Sequence, residues 1–488
     1  MAMQELIDIL EKMDAKLSSR ESSIKGISVL EVVVGVRRLL ELKNLFSWLK
    51  FAQEFSFVTY PMEVMAQKES LRRTIFFFRG LKQQIELQLF IEDERSVFTE
   101  EVWGELKQNA VLVWPALECD RYLPGIEERK KIIFSPEISS VTISYQELLL
   151  NFYLDEDVVC ETFIDYPEVC TDKENIFTDL PYTYKIATLM AQENFLGLII
   201  PPRAQVLRML LLEWERITEH LRVIHQMIVH LGADAYATLF EKLIYTMATH
   251  FRYTADDLVL GGVTTWPCGE WFTRLYELLR TVSHECQTLF KFITRARTWQ
   301  SQTKISGMLA SWGRERGLSG PLLRASGVGY DLRKQRGHYY YPEIDFEIPV
   351  GVMGDVHDIY LVRMEEIFYA IKIIQALLRA LPSGGVVLPR EEIHNSFKSG
   401  VEMGTYVYTA LEAPSGELGF GVSVASSGLL VGKMFSGGWS SVNSWPLMIK
   451  GLTVEEGLLV FIALGIKSEE YRNTLFLQDT LVMKECSR

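Results

Sequence analysis

From Pro201 onward apolar residues return at every third and fourth position. Leu207, Leu210, Leu211, Ile217, Leu221, Ile224 and Ile228 share one helical face, which predicts a long helix opened by Pro201-Pro202 and closed at Gly232. The same spacing predicts helices over residues 239–253, 272–293 and 361–378. A glycine-rich segment, residues 317–354, interrupts them, and the chain after Tyr406 reads as a strand-rich tail.

Before about residue 134 the periods are shorter. Residues 30–34 read as a β-branched strand, residues 37–52 carry helical spacing through Leu39, Leu40, Leu45, Leu49 and Phe51, and residues 74–78 and 85–90 read as two further strands. The charged run at residues 127–131 marks a boundary, and a strand pair at 139–145 and 158–163 follows it. The expected fold class is α+β. A small N-terminal α/β domain spans residues 1–130, and a mostly helical domain with small peripheral sheets spans 131–488.

Composition narrows the function classes. At 48% hydrophobic and 23% charged residues the chain has the makings of a packed core. Fifty basic residues against 63 acidic ones give a net charge of −13, the wrong sign for holding phosphates, so no nucleic-acid partner is expected. The longest apolar run, residues 457–466, is well short of the roughly 18 to 20 residues that a spanning helix needs. Cys119, Cys160, Cys170, Cys268, Cys286 and Cys486 are scattered, with no close pair of the kind that metal or redox sites use. The first residues open an amphipathic acidic stretch, not a secretory signal. A reducing, cytoplasmic-side location is expected, with membrane contact only through partner subunits.

Two groups of residues could carry chemistry. Glu213, Arg216 and His220, three and four apart, share one face of the long helix as an ionic stripe. The stripe reads as a structural salt-bridge ladder or as a wall facing a cofactor. His220, His225 and His230 step by five, which turns them by about 140° each time, so they do not converge on a metal. The segment from Gly317 to Lys334 interleaves five glycines with Arg324, Asp331, Arg333 and Lys334. It lacks the dinucleotide and phosphate-loop patterns, and reads either as a loop held against a cofactor or another chain or as an irregular surface loop.

That segment, continued through Asp345-Phe346-Glu347-Ile348-Pro349-Val350-Gly351, Gly354-Asp355 and Tyr360-Leu361-Val362-Arg363-Met364-Glu365-Glu366, closely resembles the 49 kDa (D-type) subunit of respiratory complex I. Pro201-Pro202-Arg203-Ala204-Gln205, Gly261-Gly262-Val263 and Glu412-Ala413-Pro414-Ser415-Gly416-Glu417-Leu418-Gly419 match in the same order. The first part, with Phe57-Val58-Thr59-Tyr60-Pro61 and its paired strands, looks like the 30 kDa (C-type) subunit, which makes the chain a C–D fusion.

The resemblance implies a fold like that of the nickel-iron hydrogenase large subunit. Those enzymes bind metal through two Cys-x-x-Cys pairs; this sequence has none, so no metal on this chain is expected. What the resemblance implies instead is a quinone cavity beside an iron–sulfur cluster carried by a neighbouring subunit. The family draws its headgroup ligands from a histidine hairpin, a nearby helix tyrosine and an aspartate. Here Ile138 and Thr142 stand at the hairpin positions within residues 135–143, His230 at the aspartate position, and Thr178 near the tyrosine position, with Tyr182 and Tyr184 close by. His230, Tyr182 and Tyr184 are therefore the expected catalytic residues. His230 also reads as a satisfied core histidine. Glu213, Arg216, His220, Arg324, Asp331 and Arg333 are the expected cofactor-binding set.

The function implied is a hydrophilic-arm subunit of an NADH:quinone oxidoreductase that couples electron transfer to ion translocation. Its partners would be the B-type iron–sulfur subunit and the H-type membrane subunit of such an assembly, and its place the cytoplasmic face of the cell membrane or the matrix side of the mitochondrial inner membrane. The alternative is a degenerate scaffold subunit of a group 4 hydrogenase-like membrane complex with no redox site of its own.

Overall fold

A computed structural model describes residues 16–21, 28–35, 55–65, 71–80, 85–94, 138–165 except 147, 180–250, 253–305, 313, 317–399, 406–424, 430–467 and 481–483. The helix expected at 37–52, the boundary at 127–131, Thr178 and Cys486 lie outside the described residues.

Strands β1 (Lys16–Glu21), β2 (Ser28–Gly35), β3 (Phe55–Met65), β4 (Leu71–Gly80) and β5 (Ile85–Glu94) form a mixed sheet in the order β1-β2-β5-β4-β3. β2 and β5 run parallel, with Ser28 opposite Ile85, and the other neighbours are antiparallel. Pro61 falls on β3, an edge strand, where no ladder partner needs its missing N–H; the β3–β4 register shifts between Thr59 and Met62, on either side of it.

β6 (Ile138–Tyr145), β7 (Leu148–Asp155) and β8 (Val158–Asp165) make an antiparallel meander. Of the hairpin read at residues 135–143, only residues 138–143 are described. Residues 138–143 run straight along β6, and the chain reverses at Gln146, whose φ of 55° supplies the turn. Ser135, Pro136 and Glu137 lie outside the described residues.

The helical part follows: α1 (Pro181–Phe195), α2 (Pro202–His230), α3 (Asp234–His250), α4 (Gly269–Arg295), α5 (Arg297–Thr303), α6 (Gly320–Ala325), α7 (Leu332–Gln335), α8 (Val356–Arg379) and α9 (Arg390–Ser399). The short pair β9 (Leu258–Val259) and β10 (Gly262–Val263) lies between α3 and α4. β11 (Tyr406–Ala413), β12 (Gly416–Val424), β13 (Leu430–Ser436) and the short β14 (Leu481–Met483) close an antiparallel sheet around α10 (Gly437–Ile449) and α11 (Val454–Leu464). The fold is α+β.

α2 is the axis of this part. Pro202 opens it, where the missing N–H is not needed, and Gly232 at φ 70° ends it, letting the Ala233 N–H reach the Ile228 carbonyl at 3.0 Å. From Leu207 through Leu221 every α2 residue is buried. A helix buried all round should be apolar all round, yet this stretch carries Arg208, Glu213, Glu215, Arg216, Glu219 and His220. Each must find its counter-charge or donors inside the protein. α8 lies along α2 and supplies several of them.

The tail after Tyr406 departs from expectation, because α10 and α11 take up much of it. The signal for α11 was local: Thr453 accepts from the Glu456 N–H at 3.3 Å while the Glu456 carboxylate accepts from the Thr453 N–H at 3.0 Å. That reciprocal capping is a helix start. Gly465, at φ 67°, closes the helix. The apolar run of residues 457–466 is thus a buried core helix, and among the described residues no helix is long and apolar enough to cross a membrane. The helix expected at 239–253 starts earlier, at Asp234, and ends at His250.

Candidate functional site

The glycine-rich segment folds inward. Gly320, at φ 67°, brings its backbone so close to Gly416 that a Cβ would stand 2.5 Å from the Gly416 Cα, and Ser319 Oγ accepts from the Glu417 N–H at 2.9 Å. Two of the sequence blocks, residues 317–334 and 412–419, are pinned together in this way. α6 then delivers Arg324 to the protein interior, and Asp331 caps α7 by accepting from the Arg333 N–H at 2.9 Å.

Around α2 these residues make one buried ionic cluster. Arg324 donates through Nε to Glu366 Oε1 at 2.7 Å and through Nη1 to Glu412 Oε1 at 2.7 Å. Arg333 donates to Asp331 Oδ2 at 2.6 Å and to Glu213 Oε2 at 3.0 Å, and the Tyr341 hydroxyl donates to Glu213 Oε1 at 2.7 Å. Arg216 lies 3.3 Å from Glu213 and donates to the backbone carbonyls of Glu412 at 2.5 Å and Ala413 at 3.3 Å. His220 Nε2 stands 2.9 Å from Glu366 Oε2. Arg363 reaches from α8 to His220 Nδ1 at 3.1 Å and to the Leu464 carbonyl at the end of α11 at 2.7 Å.

The electrostatics follow from burial. Arg216, Arg324, Arg333 and Arg363 face Glu213, Asp331, Glu366 and Glu412, so the charges balance when His220 is neutral. Burial holds His220 down to about 4, against the pull of Glu366, so the ring is neutral at physiological pH. Burial alone would raise the Glu366 carboxyl, but Arg324, His220 and Arg333 outweigh it and hold it well below the usual carboxylate range. Glu412 and Asp331 flank the same guanidinium. Burial pushes Glu412 up, while Arg333 and Arg324 overcome burial at Asp331 and hold it low, so a proton reaching the pair would go to Glu412 first.

The six residues expected to bind a cofactor, Glu213, Arg216, His220, Arg324, Asp331 and Arg333, are therefore brought together, each at 1% exposure or less. They are brought together with one another. A side chain lining a cavity wide enough for a quinone headgroup would present area to solvent, whereas these direct their hydrogen bonds inward. Lys334 differs: it is exposed and sits 4.5 Å over the Phe346 ring.

The three expected catalytic residues do not converge. The Tyr182 N–H is 3.3 Å from the Glu215 carboxylate, which places the start of α1 beside the middle of α2, and the Tyr182 hydroxyl donates to the Tyr253 carbonyl at 2.5 Å. Tyr184, fully buried, projects about 200° around α1 from Tyr182. His230 is the last residue of α2, roughly 22 Å of helix rise from Glu215, and its Nε2 lies 2.9 Å from the Glu455 carbonyl. Ile138 and Thr142 lie on β6, where the Thr142 hydroxyl donates to Asn151 Oδ1 at 2.7 Å.

Sequence reasoning did not single out Arg363, Glu366 and Glu412 or the pair Glu193 and Arg208. Arg208 forks onto Glu193 at 2.7 and 2.9 Å and donates to the Val259 and Gly262 carbonyls, while the Gly261 N–H donates to Glu193. This fixes the Gly261-Gly262-Val263 block against α1 and α2. The available signal was a charged residue within an apolar helical run. Among the described residues no group of three or more His, Cys, Asp or Glu side chains is arranged to hold a metal ion.

Comparison with known proteins bears on this site. A sequence profile described as "Respiratory-chain NADH dehydrogenase, 49 Kd subunit" matches residues 239–466, which include α8, α6 and the β11–β12 hairpin. The C/D subunit of the NADH-quinone oxidoreductase of Bdellovibrio bacteriovorus is 30% identical over 313 residues, 57% of this chain and 55% of that protein. The D subunit of the NADH-quinone oxidoreductase of Myxococcus xanthus is 29% identical over 276 residues, 51% of this chain and 66% of that protein. The corresponding D subunit from Wolbachia of Brugia malayi is 31% identical over 274 residues, 51% of this chain and 70% of that protein. The matched region spans from 55% to 70% of these three relatives' own length.

Proposed function

Because the chain belongs to the 49 kDa subunit family of the respiratory-chain NADH dehydrogenase, we propose that it serves in the hydrophilic arm of an NADH:quinone oxidoreductase and walls its quinone site. The observation that supports this most is the ionic cluster itself. Arg324, Asp331, Arg333, Arg363, Glu366 and Glu412 come from three of the sequence blocks that carry the family resemblance, and Arg333, Arg363, Glu366 and the Glu412 backbone meet α2 directly. Residues 1–130 serve as the part like the 30 kDa subunit and residues 131–488 as the part like the 49 kDa subunit.

In this reading the cluster is scaffold. A balanced, desolvated lattice of four arginines and four carboxylates is weak evidence for stability but holds α2, α6, α8 and the β11–β12 hairpin in one arrangement. Reduction of a quinone to the quinol takes two electrons and two protons. The electrons come from an iron–sulfur cluster on a B-type neighbour. On this chain the start of α1 offers a phenol at Tyr182, with Tyr184 behind it, to orient the headgroup or deliver a proton. His230, far along α2, does not share that wall. An H-type membrane partner would couple the reaction to ion translocation, with this chain peripheral on the cytoplasmic or matrix side.

A second reading has its own support. Ile138 and Thr142 stand where the family has histidines, which favours a scaffold subunit without a redox site. Photoaffinity labelling of the assembled complex with an azidoquinone separates the two. The first reading expects label on the 180–195 peptide, competed away by excess quinone. The absence of competable label anywhere on this chain would leave the scaffold reading.

A further inference from the structure

α1 starts in an unusual way. Its N-terminal residue is Pro181, its N-cap is Leu180, and no side chain at that position accepts a hydrogen bond. The orphan N–H groups of the first turn, at Tyr182 and Thr183, must therefore be met from elsewhere. Glu215 of α2 meets both, Oε1 accepting from Tyr182 at 3.3 Å and Oε2 from Thr183 at 2.7 Å. Glu215 is 7% exposed, and among the described residues no cation lies within salt-bridge distance of it. The other carboxylates of mid-α2 do have cations: Glu213 has Arg216 and Arg333, and Glu219 has Lys467 at 2.6 Å and Arg222 at 3.6 Å.

We infer that Glu215 is a proton-controlled latch on the start of α1. With its carboxyl neutral it keeps the Tyr182–Thr183 turn closed, and once ionised it draws water in and loosens that turn. The groups facing it are the two N–H donors, the Thr183 side chain and the Tyr182 phenol on α1, and Glu219 one turn along α2. Tyr182 is tied in turn to the Tyr253 carbonyl before the segment of residues 255–257. The Thr183 side chain, the two N–H groups and the positive end of the helix favour the carboxylate, whereas burial and Glu219 oppose it. Burial is the larger effect, so the carboxyl is pushed up to about 7. A raised carboxyl means that the closed turn holds a proton which the hydrated, open turn has already released, so opening is favoured progressively as pH rises from the ordinary carboxyl range to about 7, and no further above it.

The latch acts at the turn that the quinone reading places beside the headgroup, so its bearing on turnover rests on that reading. Its test does not. Hydrogen exchange at the Tyr182 and Thr183 amides, corrected for the intrinsic rate, reads the two bonds directly in the full chain as purified with its accompanying subunits. Between pH 5 and 7 protection at these amides should fall by up to about tenfold per pH unit and level off above about 7, while amides in the second half of α1 stay flat. In Glu215→Gln, which keeps an acceptor oxygen but cannot ionise, the profile at 182 and 183 should be flat as well. A flat wild-type profile, or the same fall in Glu215→Gln, overturns the latch and leaves the quinone reading untouched. Failure of quinone labelling would leave the latch standing.

Discussion

Arg363 Nη1 lies 3.1 Å from His220 Nδ1, and a guanidinium can only donate. That nitrogen must therefore accept, so the ring proton sits on Nε2 and points to Glu366 at 2.9 Å. His220 is a neutral imidazole held between a cation and a carboxylate. Its folded-state value, about 4, lies below the ordinary 6.5, so the unfolded chain binds more protons across that interval. Stability from this residue is present above about 6.5 and is lost as pH falls toward 4, at up to about 1.4 kcal/mol per unit. Urea midpoints of the wild type and His220→Asn across pH 4 to 7 check this, and the variant should have the shallower slope.

Arg324 serves two carboxylates at once. Replacing it with Ala leaves Glu366 and Glu412 with buried charge and no fork between them, and should destabilise the protein by about 3–5 kcal/mol. Lys, a single point charge, cannot reproduce both bonds and should recover only part of the loss. Thermal unfolding of Arg324→Ala and Arg324→Lys in parallel is the check.

Gly320→Ala should weaken the junction of the two loops. The residue sits at φ 67°, and its Cβ would stand 2.5 Å from the Gly416 Cα and 2.7 Å from the Ser415 carbonyl oxygen, where backbone must move. Strain of this kind is worth about 1–3 kcal/mol. Faster proteolysis within residues 412–419 than in the wild type would report the opening.

Tyr182 and His230 should separate in function. Tyr182→Phe removes the hydroxyl that donates to the Tyr253 carbonyl and should lower quinone turnover if the headgroup sits at the start of α1. His230→Ala loses one hydrogen bond to the Glu455 carbonyl, a stability change of about 0.5–1.5 kcal/mol, with little change in turnover. Steady-state quinone reduction by the two variant complexes tests the contrast.

The long helices were legible because Leu207 to Ile228 repeat at three and four, and Pro202 and Gly232 mark the ends of α2 in sequence as they do in space. The charged blocks were legible as a group, since Arg324, Asp331 and Arg333 lie within one glycine-rich run. What they bind was not. Glu366 is 42 positions from Arg324 and Glu412 is 88, separations over which no local period operates. Glu215 was hidden for the same reason: its partners Tyr182 and Thr183 are 33 and 32 residues away, and a lone glutamate on a helix ordinarily faces water. The strands at 139–145 and 158–163 were legible, but β7 between them was not, because the turn that leads into it is made at Gln146 by a positive φ and carries no glycine or asparagine to mark it.

The most direct test is electron paramagnetic resonance of membranes carrying the tagged full chain, reduced with NADH and then given excess quinone. An iron–sulfur signal should purify with this chain and disappear on quinone addition faster than in the Tyr182→Phe complex. A chain that purifies without any cluster, or a cluster signal that quinone leaves unchanged, would contradict the quinone reading.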